Sequence, residues 1–260
     1  MDYTKKAILI AGASSGIGRA VALALSHHDN EIFITARRKD LLEETARMVN
    51  TGGSRCTAIA GDALDDDHCR FVVDEMVEKC GRIDIALLNI GHGPPINTLT
   101  VTPSTVKECM QRNFETMIHF FCPVIDQMKR QQTRCLLAHT NSLASYFGIP
   151  MQGDYTAAKA AARIFLETAR MELKHFGFEH ILIQTIHPGF VDTEICRDDG
   201  IPSPNMISEE EAARYILRGF KREKRENLFP FKMSAAVRVG RIAPYALRTM
   251  ILLGETPDEY

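Results

Sequence analysis

The 260-residue sequence lacks an excess of charge of either sign. With 31 Lys and Arg against 33 Asp and Glu, its formal net charge is −2. Such a balance gives no bulk electrostatic attraction to nucleic acid or to an anionic membrane. We therefore expect no nucleic-acid partner, and a small anionic ligand would require a local basic pocket.

Disulfide and metal-binding patterns are also missing. The seven cysteines are scattered and form no C-x-x-C pair, which is typical of reduced thiols in a cytosolic protein. The nine histidines form neither an H-E-x-x-H pattern nor a cluster with cysteine. These absences predict a cytoplasmic protein without a metal site.

No apolar run is long enough to span a bilayer. AILIAGA, after Lys5 and Lys6, resembles the start of a secretory signal, but it is short and no convincing cleavage pattern follows. A buried strand is the better interpretation. The stretch at 228–253 is apolar with interspersed arginines and no acids. We predict that it packs on the core or forms a subunit interface, and association with a membrane surface is the less favoured alternative.

Short apolar runs alternate with longer amphipathic segments. The apolar runs predict strands at 7–11, 31–35, 55–60, 83–89, 134–140 and 181–187. The amphipathic segments predict helices at 16–28, 40–50, 65–80, 103–130 and 155–175. Because the runs are rich in Ile, Leu, Val and Ala, they favour strands buried on both faces. The order predicts an α/β fold, a Rossmann-like doubly wound parallel sheet flanked by helices on both faces.

We expect one domain over 1–260, with a cofactor-binding part at about 1–140 and a catalytic and substrate part at about 141–260. DDGIPSPN at 198–205 is predicted to be a loop within it. KREKRE at 221–226 has charges of mixed sign, which favours a solvated helix end over a nucleic-acid or membrane patch.

The first predicted strand runs directly into the glycine-rich stretch AGASSGIGRA. Glycine lets the backbone turn tightly and approach a phosphate without an intervening side chain. The helix that follows offers free N–H groups and a positive dipole end to an anion. This strand–turn–helix context predicts a phosphate-binding loop. Its residues are Gly12, Ser14, Ser15, Gly16, Ile17 and Gly18.

Tyr155 and Lys159 lie four residues apart in the alanine-rich stretch GDYTAAKAA. In a helix these two positions share one face, so the ammonium would lie beside the phenol. A nearby cation lowers the pKa of a tyrosine, which would tune Tyr155 to move protons near neutral pH. Taken alone, such a pair is usually an exposed surface pair without function.

Together these motifs resemble the short-chain dehydrogenase/reductase family. GASSGIG has the family's G-x-x-x-G-x-G spacing. The further matches, in order, are Asp62 after the third strand, Asn89 and Gly91 in LNIG, Asn113 in MQRNFETM, Ser142 thirteen residues before Tyr155, the Tyr155–Lys159 pair, and HPGFVDT at 187–193. They span 7–195, about three quarters of the chain. Ala11, Leu88 and Ile90 depart from the family pattern, and the first two affect hydrogen bonds that brace the sheet around the cofactor.

The resemblance implies an oxidoreductase that interconverts a carbonyl and a hydroxyl group with a nicotinamide cofactor. Tyr155 would be the general acid and base, and Ser142 would orient the substrate oxygen. Lys159 would also bind the nicotinamide ribose, and Asn113 would hold a helix distortion and a water. Further cofactor contacts are implied for Asp62, Ala63, Asn89, Gly91, Pro188, Gly189, Val191 and Thr193.

The family also implies a homodimer or homotetramer. The alanine-rich face of the predicted Tyr155 helix would permit close helix packing between subunits. It would equally permit packing against the helix that carries Asn113. The alanines concerned are Ala157, Ala158, Ala161 and Ala162.

The end of the second predicted strand bears on cofactor choice. NAD-selective relatives carry an acid there, whereas this chain has Ala36 followed by Arg37 and Arg38. No carboxylate repels a 2′-phosphate, and arginine holds phosphate with a planar fork. The sequence therefore predicts NADP(H), bound through Arg37. Arg38 is expected to stack on the adenine or to face water.

The substrate is not identified by the sequence. The expected wall is apolar, which favours a hydrophobic ketone, aldehyde or secondary alcohol, although its members could equally be core residues. They are Leu143, Ala144, Phe147, Met151, Phe190 and Met206, with Ile201 in the loop between the last two. A non-catalytic NADP(H)-sensing or scaffold protein, and an isomerase or epimerase that uses the nicotinamide transiently, are alternatives. The complete Asn–Ser–Tyr–Lys set disfavours the first, and the short stretch after Thr193 disfavours the second.

Overall fold

The strands of this protein lie in one sheet. The structure is a computed structural model that describes residues 1–197 and 205–254, apart from the side chains of Ile195 and Arg197. In these residues seven parallel strands take the order β3-β2-β1-β4-β5-β6-β7. They are β1 Ala7–Ala11, β2 Glu31–Ala36, β3 Arg55–Ala60, β4 Ile85–Leu88, β5 Cys135–Thr140, β6 Ile181–Pro188 and β7 Glu226–Phe229.

Helices join the strands and cover both faces of the sheet. They are α1 Gly16–Leu25, α2 Lys39–Thr51, α3 Asp66–Cys80, α4 Pro103–Met110, α5 Thr116–Arg130, α6 Gly153–His175, α7 Glu194–Arg197, α8 Glu209–Lys221, α9 Phe231–Ile242 and α10 Tyr245–Gly254. A π-helical turn, Gln111–Glu115, joins α4 to α5, and a 3-10 turn, Leu143–Tyr146, precedes α6. The predicted doubly wound α/β fold is confirmed.

Burial on both faces explains the unbroken apolar strands. All five residues of β1 are buried. Leu9 packs in the cluster formed with α3, α5 and α6, whereas Ile8 and Ile10 pack in the opposite cluster with α1, α2 and α8. Because successive side chains point to opposite faces, a strand covered on both sides shows no polar alternation.

The order of the strands determines where a ligand-binding crevice lies at the edge of this parallel sheet. β1 pairs with β2 on one side and β4 on the other, so the loops that leave β1 and β4 lie side by side at the carboxyl edge. Asn89, directly after β4, donates from Nδ2 to the carbonyl oxygen of Gly12 at 3.1 Å. In open α/β sheets, ligands bind at such a switch point.

The helix predicted at 65–80 agrees closely with α3. Asp65 caps its start by accepting hydrogen bonds from the N–H groups of Asp67 and His68. Gly81 ends it in the left-handed conformation with φ of 70°, which glycine adopts at little cost.

A seventh strand was not predicted. α8 ends at Lys221 and β7 begins at Glu226, so the segment 221–226 is a helix end only in its first residue. β7 has four residues, of which Asn227 and Phe229 are buried. A strand so short and so close to a charged run carries little apolar signal, and its pairing with β6 supplies the hydrogen bonds that define it.

The C-terminal prediction of core packing is wrong for α9 and α10. Only Ser234 of α9 is buried, and α10 contains no buried residue. Among the described helices, none combines the length and apolar character needed to cross a bilayer. The loop predicted at 198–205 and its Ile201 lie outside the described residues, except for Asn205.

The alanine face of α6 packs inside the subunit. Ala158 and Ala162 are fully buried, and α6 contacts α4 and the π-helical turn. Of the two packing partners expected for these alanines, the structure shows the helix that carries Asn113. Ala157 is exposed and Ala161 is half-buried.

Candidate active site

The glycine loop after β1 leaves room for a ligand to approach the backbone. Gly12 and Gly16 have φ of 84° and 63°, in the left-handed region that favours glycine. A Cβ on Gly18 would lie 2.1 Å from the Gly12 carbonyl oxygen and 2.8 Å from Nδ2 of Asn89. Since α1 begins at Gly16, its free N–H groups face the same edge. This cradle fits a phosphate-bearing cofactor.

Buried polar atoms at the same edge have no partner among the described residues. They are Oδ1 of Asn89, Nε2 of His139 and Oγ1 of Thr140. Buried polar groups in folded proteins are normally hydrogen-bonded. Three such atoms at the ends of β4 and β5 therefore also fit a polar ligand.

Arg37 and Asp62 line a cleft beside the glycine loop. Its other lining residues are Leu64, Ile90, Gly91, His92, Arg112 and Thr116. Burial, with the nearby charges of Arg112 and Arg37, lowers the pKa of His92. The lining thus combines the guanidinium groups of Arg37 and Arg112 with the carboxylate of Asp62, and Arg112 is paired with Glu108 at 2.9 Å.

Arg38 is exposed to solvent, one of its two expected positions, and it also makes contacts that were not predicted. Its guanidinium donates to the hydroxyls of Ser14 and Ser15 and pairs with Glu194, 2.7 Å from the carboxylate oxygen. Arg38 thereby links the glycine loop to α7, an arrangement that sequence spacing does not reveal because Glu194 lies 156 residues away. The ion pair lowers the pKa of Glu194, but as an exposed pair it adds little stability.

Asn113 lies in the π-helical turn, which confirms the predicted helix distortion. Its Nδ2 donates to the carbonyl oxygens of His92 at 2.5 Å and Cys109 at 2.9 Å. Its Oδ1 accepts from the N–H of His92 at 3.1 Å. Its side chain therefore holds the loop after β4 through two hydrogen bonds with the His92 backbone, and its other amide N–H is bound within the helix at Cys109.

Lys159 is a buried ammonium beside this brace. Only 3% of it is exposed, and Nζ donates to the carbonyl oxygen of Thr140 at 3.2 Å. A Cβ on Gly91 would lie 2.8 Å from Nζ and 2.9 Å from Oδ1 of Asn113. Gly91 thus provides the space in which Lys159 and Asn113 meet. Burial lowers the pKa of Lys159 to about 8.

Tyr155 lies one helical turn before Lys159, with its ring against Gly93. Nζ of Lys159 is 5.7 Å from the ring centroid. Burial raises the pKa of Tyr155 to about 12, and a hydrogen bond with the Ser142 side chain opposes that rise. The predicted lowering of this pKa is therefore not observed, because the ammonium is directed at Thr140 and desolvation outweighs its field.

His187 supports Ser142 and was missed by sequence reasoning. Its Nδ1 lies 3.1 Å from the Ser142 carbonyl oxygen and 3.4 Å from Oγ of Ser145. Its Nε2 lies 3.3 Å from the hydroxyl of Tyr146. Burial lowers the pKa of His187 to about 4, so the neutral ring donates from Nδ1 and accepts at Nε2. The available signal was its position at the start of HPGFVDT.

The remaining predicted residues lie around these groups. Leu143 and Ala144 are buried, whereas Phe147, Met151 and Phe190 are half-buried and Met206 is exposed. Of the further predicted cofactor contacts, Ala63 lies after β3, where it is buried and its carbonyl oxygen accepts a hydrogen bond from His119. The others lie around the end of β6: Pro188 ends the strand, and Gly189 faces Met233. Val191 forms a β-bridge with Ile207, and Thr193 faces Gly16. Ile17 is half-buried on α1. In residues 1–197 and 205–254, no group of His, Cys, Asp and Glu is arranged to hold a metal ion.

Replacing Lys159 by methionine should stabilise the fold because it removes a buried charge. The folded-state pKa of about 8 lies below the ordinary value of 10.5. Through that pH window the unfolded chain holds more protons, so the wild type gains stability as pH rises from 8 to 10.5. The depression corresponds to about 3 kcal/mol of destabilisation below the window.

We expect Lys159→Met to raise the free energy of unfolding at pH 7 by about 1–3 kcal/mol, since the lost hydrogen bond to Thr140 offsets part of the gain. The gain should shrink toward pH 10.5. Denaturant unfolding at several pH values measures it, with Lys129→Met on the surface of α5 as a control that changes little. A variant less stable than wild type at pH 7, with no pH dependence of the difference, would contradict this expectation.

Proteins of known family resemble this chain along its length. It is 25% identical over 246 residues to an uncharacterized oxidoreductase of Myxococcus xanthus, covering 95% of this chain and 96% of that protein. It is 27% identical over 232 residues to a 3-ketodihydrosphingosine reductase of Bacteroides thetaiotaomicron, covering 88% and 81%. The crystal structure of a short chain dehydrogenase/reductase from Burkholderia phymatum in complex with NAD superposes with a TM-score of 0.85 at 18% identity, covering 100% and 99%.

The family model for short chain dehydrogenase matches residues 6–200. That range contains β1 to β6, the glycine loop, the Asn113 turn and the Tyr155–Lys159 pair. Sequence match, sheet order and site geometry therefore agree, and the chain belongs to the short-chain dehydrogenase family.

Proposed function

We propose that the protein is an NADP(H)-dependent oxidoreductase that interconverts a carbonyl and a hydroxyl group on an apolar small molecule. One observation carries the proposal: the Ser142 side chain hydrogen-bonds Tyr155, and the ammonium of Lys159, 5.7 Å from the centroid of the Tyr155 ring, lies beside Gly91 in the loop after β4. A tyrosine hydroxyl, a hydroxyl that orients it and a buried ammonium beside a phosphate cradle suit proton transfer coupled to hydride transfer.

The cofactor would lie along the carboxyl edge of the sheet. The N–H groups at the start of α1 would bind its pyrophosphate. Lys159, next to Gly91, would bind the nicotinamide ribose, and Asp62 with Arg37 would hold the adenosine end in the cleft. When bound, the nicotinamide supplies or accepts the hydride.

NADP(H) is favoured over NAD(H) by the charges around Arg37. Ala36 puts no carboxylate at the end of β2. Arg37 lines the cleft, so a 2′-phosphate there would meet its guanidinium. Arg112 lies in the same lining but is paired with Glu108. Arg38 is already bound to the serines of the glycine loop.

Tyr155 would act as the proton donor in reduction. With its pKa raised to about 12 by burial, its hydroxyl stays protonated at neutral pH. Ser142 would hydrogen-bond the substrate oxygen while negative charge develops on it. In oxidation Tyr155 would have to take up a proton as a phenolate, which high pH favours, so the site favours reduction at neutral pH.

Lys159 would restore the proton after each turnover. Its pKa of about 8 lies near neutral pH, where proton exchange at a general acid or base is most effective. Asn113 would fix the loop around Gly91, and with it the position of the ammonium. His187 would not contact the substrate. It would position Ser142 by hydrogen-bonding the backbone carbonyl of that residue.

An apolar substrate is favoured by the residues that border Ser142 and Tyr155. Phe147, Met151 and Phe190 retain partial exposure around the site, so they could contact a ligand. The Bacteroides relative, named a 3-ketodihydrosphingosine reductase, supports a ketone on an apolar chain as the substrate class.

Cofactor consumption separates this proposal from the alternatives. An oxidoreductase oxidises NADPH in proportion to the ketone or aldehyde it reduces. An isomerase or epimerase returns the hydride to its product and consumes none, and a sensor binds NADPH without turnover. Screening apolar ketones and aldehydes while following NADPH absorbance tests all three.

We also propose a homodimer or homotetramer. Ile164 and Met171 on α6 are large apolar side chains with 56% and 61% exposure, and seven residues apart they share one helix face. Light scattering of the purified chain should give the mass of two or four copies. A monomer at micromolar concentration would contradict this.

Tyr155→Phe should remove turnover and preserve cofactor binding. The variant loses only the hydroxyl, so we expect kcat to fall by about 10² to 10⁴-fold while the Kd for NADPH changes little. Steady-state kinetics and a fluorescence titration measure the two quantities. Tyr215→Phe on α8, remote from Ser142, serves as the matched control. Full activity of the Tyr155 variant would overturn the proton-donor role.

Arg37→Ala should weaken NADPH binding much more than NADH binding. A charge-assisted contact to the 2′-phosphate contributes about 1.5–3 kcal/mol, so the Kd for NADPH should rise about 10- to 100-fold. The Kd for NADH should stay nearly constant. Arg47→Ala, at an exposed arginine of α2, is the control, and calorimetric titration is the measurement. Equal losses for both cofactors would exclude Arg37 as the phosphate ligand.

A further inference from the structure

The C-terminal helix pair, defined as α9 and α10, turns its apolar side chains away from the protein. On α10, Leu247, Met250 and Ile251 are exposed, whereas Arg248, Thr249 and Leu252 on the opposite face are partly buried. Spacing of three and four residues places the exposed trio in one stripe. A surface helix of a soluble domain normally directs such a stripe inward.

α9 also carries large exposed apolar side chains. Phe231, Val239 and Ile242 are 76%, 63% and 86% exposed. Phe231 and Ile242 are eleven residues apart and share one helix face with Arg238. Large exposed apolar side chains at this density on two successive helices are typical of an interaction surface rather than of ordinary scatter.

Cation–aromatic contacts join the helix pair to the body of the protein. The Arg241 guanidinium lies 4.7 Å from the ring centroid of Tyr146, and that of Arg248 lies 5.4 Å from Phe147. Gly240 also faces Phe147, where a Cβ would come within 3.3 Å of the ring. The apolar stripe of α10 takes no part in these contacts, so it is free to bind something else.

The charged residues around the stripe indicate which kind of partner would cover it. From 227 to 254 the sequence has four basic residues and no acid. They are Lys232, Arg238, Arg241 and Arg248. A symmetric contact with a second copy would place this basic surface against itself, where like charges repel. An anionic surface with an apolar interior complements it.

We propose that the C-terminal helix pair is a docking site for an anionic lipid bilayer. The apolar stripe would enter the headgroup boundary while the exposed Lys232 and Arg238 of α9 contact lipid phosphates. The helices would lie in the interface without crossing it. The balanced net charge of −2 does not oppose this, because the attraction arises from a local patch within a Debye length of the surface. The acids Glu255, Asp258 and Glu259 follow the patch, outside the described residues.

Vesicle co-sedimentation of the full chain tests the proposal. The probes are vesicles of phosphatidylcholine alone and of equal parts phosphatidylcholine and phosphatidylglycerol. The chain should bind the mixed vesicles, bind the neutral ones much more weakly, and dissociate from the mixed ones at about 1 M salt, where the Debye length is about 3 Å. No binding, or equal binding to both vesicles, would overturn the proposal.

Two variants and a control locate the site. Arg238→Gln should lower the partition coefficient about fivefold, since each basic residue near an anionic surface contributes about 1 kcal/mol. Ile242→Gln should lower it several-fold by removing an inserted side chain. The matched control, Leu99→Gln, changes an apolar side chain that is 94% exposed elsewhere, and it should bind as wild type does. A loss as large in the control would exclude the helix pair.

Two further readouts keep the outcome unambiguous. Thermal midpoints of all variants should equal that of wild type, because the replaced side chains are exposed. Light scattering without lipid should give the same mass for Ile242→Gln as for wild type, and a reduced mass would identify a subunit interface and refute lipid docking. Neither assay uses cofactor or turnover, so a failure of the proposed oxidoreductase function would not affect them.

Discussion

The site depends on one buried ammonium. Among the described residues, Lys159 Nζ donates a hydrogen bond to the carbonyl oxygen of Thr140, in surroundings that disfavour its charge. Burying a charge with so few partners costs folding free energy, so a buried cation of this kind indicates a functional role. Two local features accommodate this ammonium. Gly91 has no Cβ to obstruct it, and the helix that carries Asn113 widens into a π-helical turn. Such distortions in helices are frequent at functional sites.

The sheet determines where this ammonium can act. Because β1 and β4 are neighbours, the glycine loop and the loop braced by Asn113 meet at one edge, and α6 brings Lys159 to the same edge from the face it covers. Tyr155 then stands between the ammonium and Ser142. Burial raises its pKa, so its hydroxyl stays protonated at neutral pH, whereas its spacing to Lys159 predicted an acidified tyrosine. Proximity along a helix therefore did not determine the electrostatic outcome, because the direction of Nζ and the desolvation of the phenol counted for more.

Local patterns sufficed to predict most of the framework. Continuous apolar runs located six strands, and glycines or a capping aspartate located the ends of helices such as α3, because these signals lie within a few residues of the structure they specify. The glycine loop and the Tyr155–Lys159 pair were recognisable for the same reason. β7 was missed because a four-residue strand depends on its partner, β6. The Arg38–Glu194 pair and the contact of His187 with Ser142 were missed because they join residues far apart in sequence.

The packing of the C-terminal helix pair was also beyond what local sequence patterns could predict. Its composition indicated that apolar surface had to be covered, but not whether by the core or by something outside the chain. Packing showed that the core does not cover it, since no residue of α10 is buried. Net charge was a poor guide here as well, because the basic residues of the helix pair are a local feature within a nearly neutral chain.

The most direct measurement is the thermal unfolding midpoint of the apo protein in the presence of NADPH and, in parallel, of NADH. A ligand at about 100 times its Kd adds about 2.7 kcal/mol to the stability, which raises the midpoint of a chain of this size by about 5–10 °C. A shift of that order with NADPH, and a clearly smaller one with NADH at the same concentration, is the predicted result. No shift with either cofactor would contradict the assignment of the glycine loop and of the chemistry built around Tyr155 and Lys159.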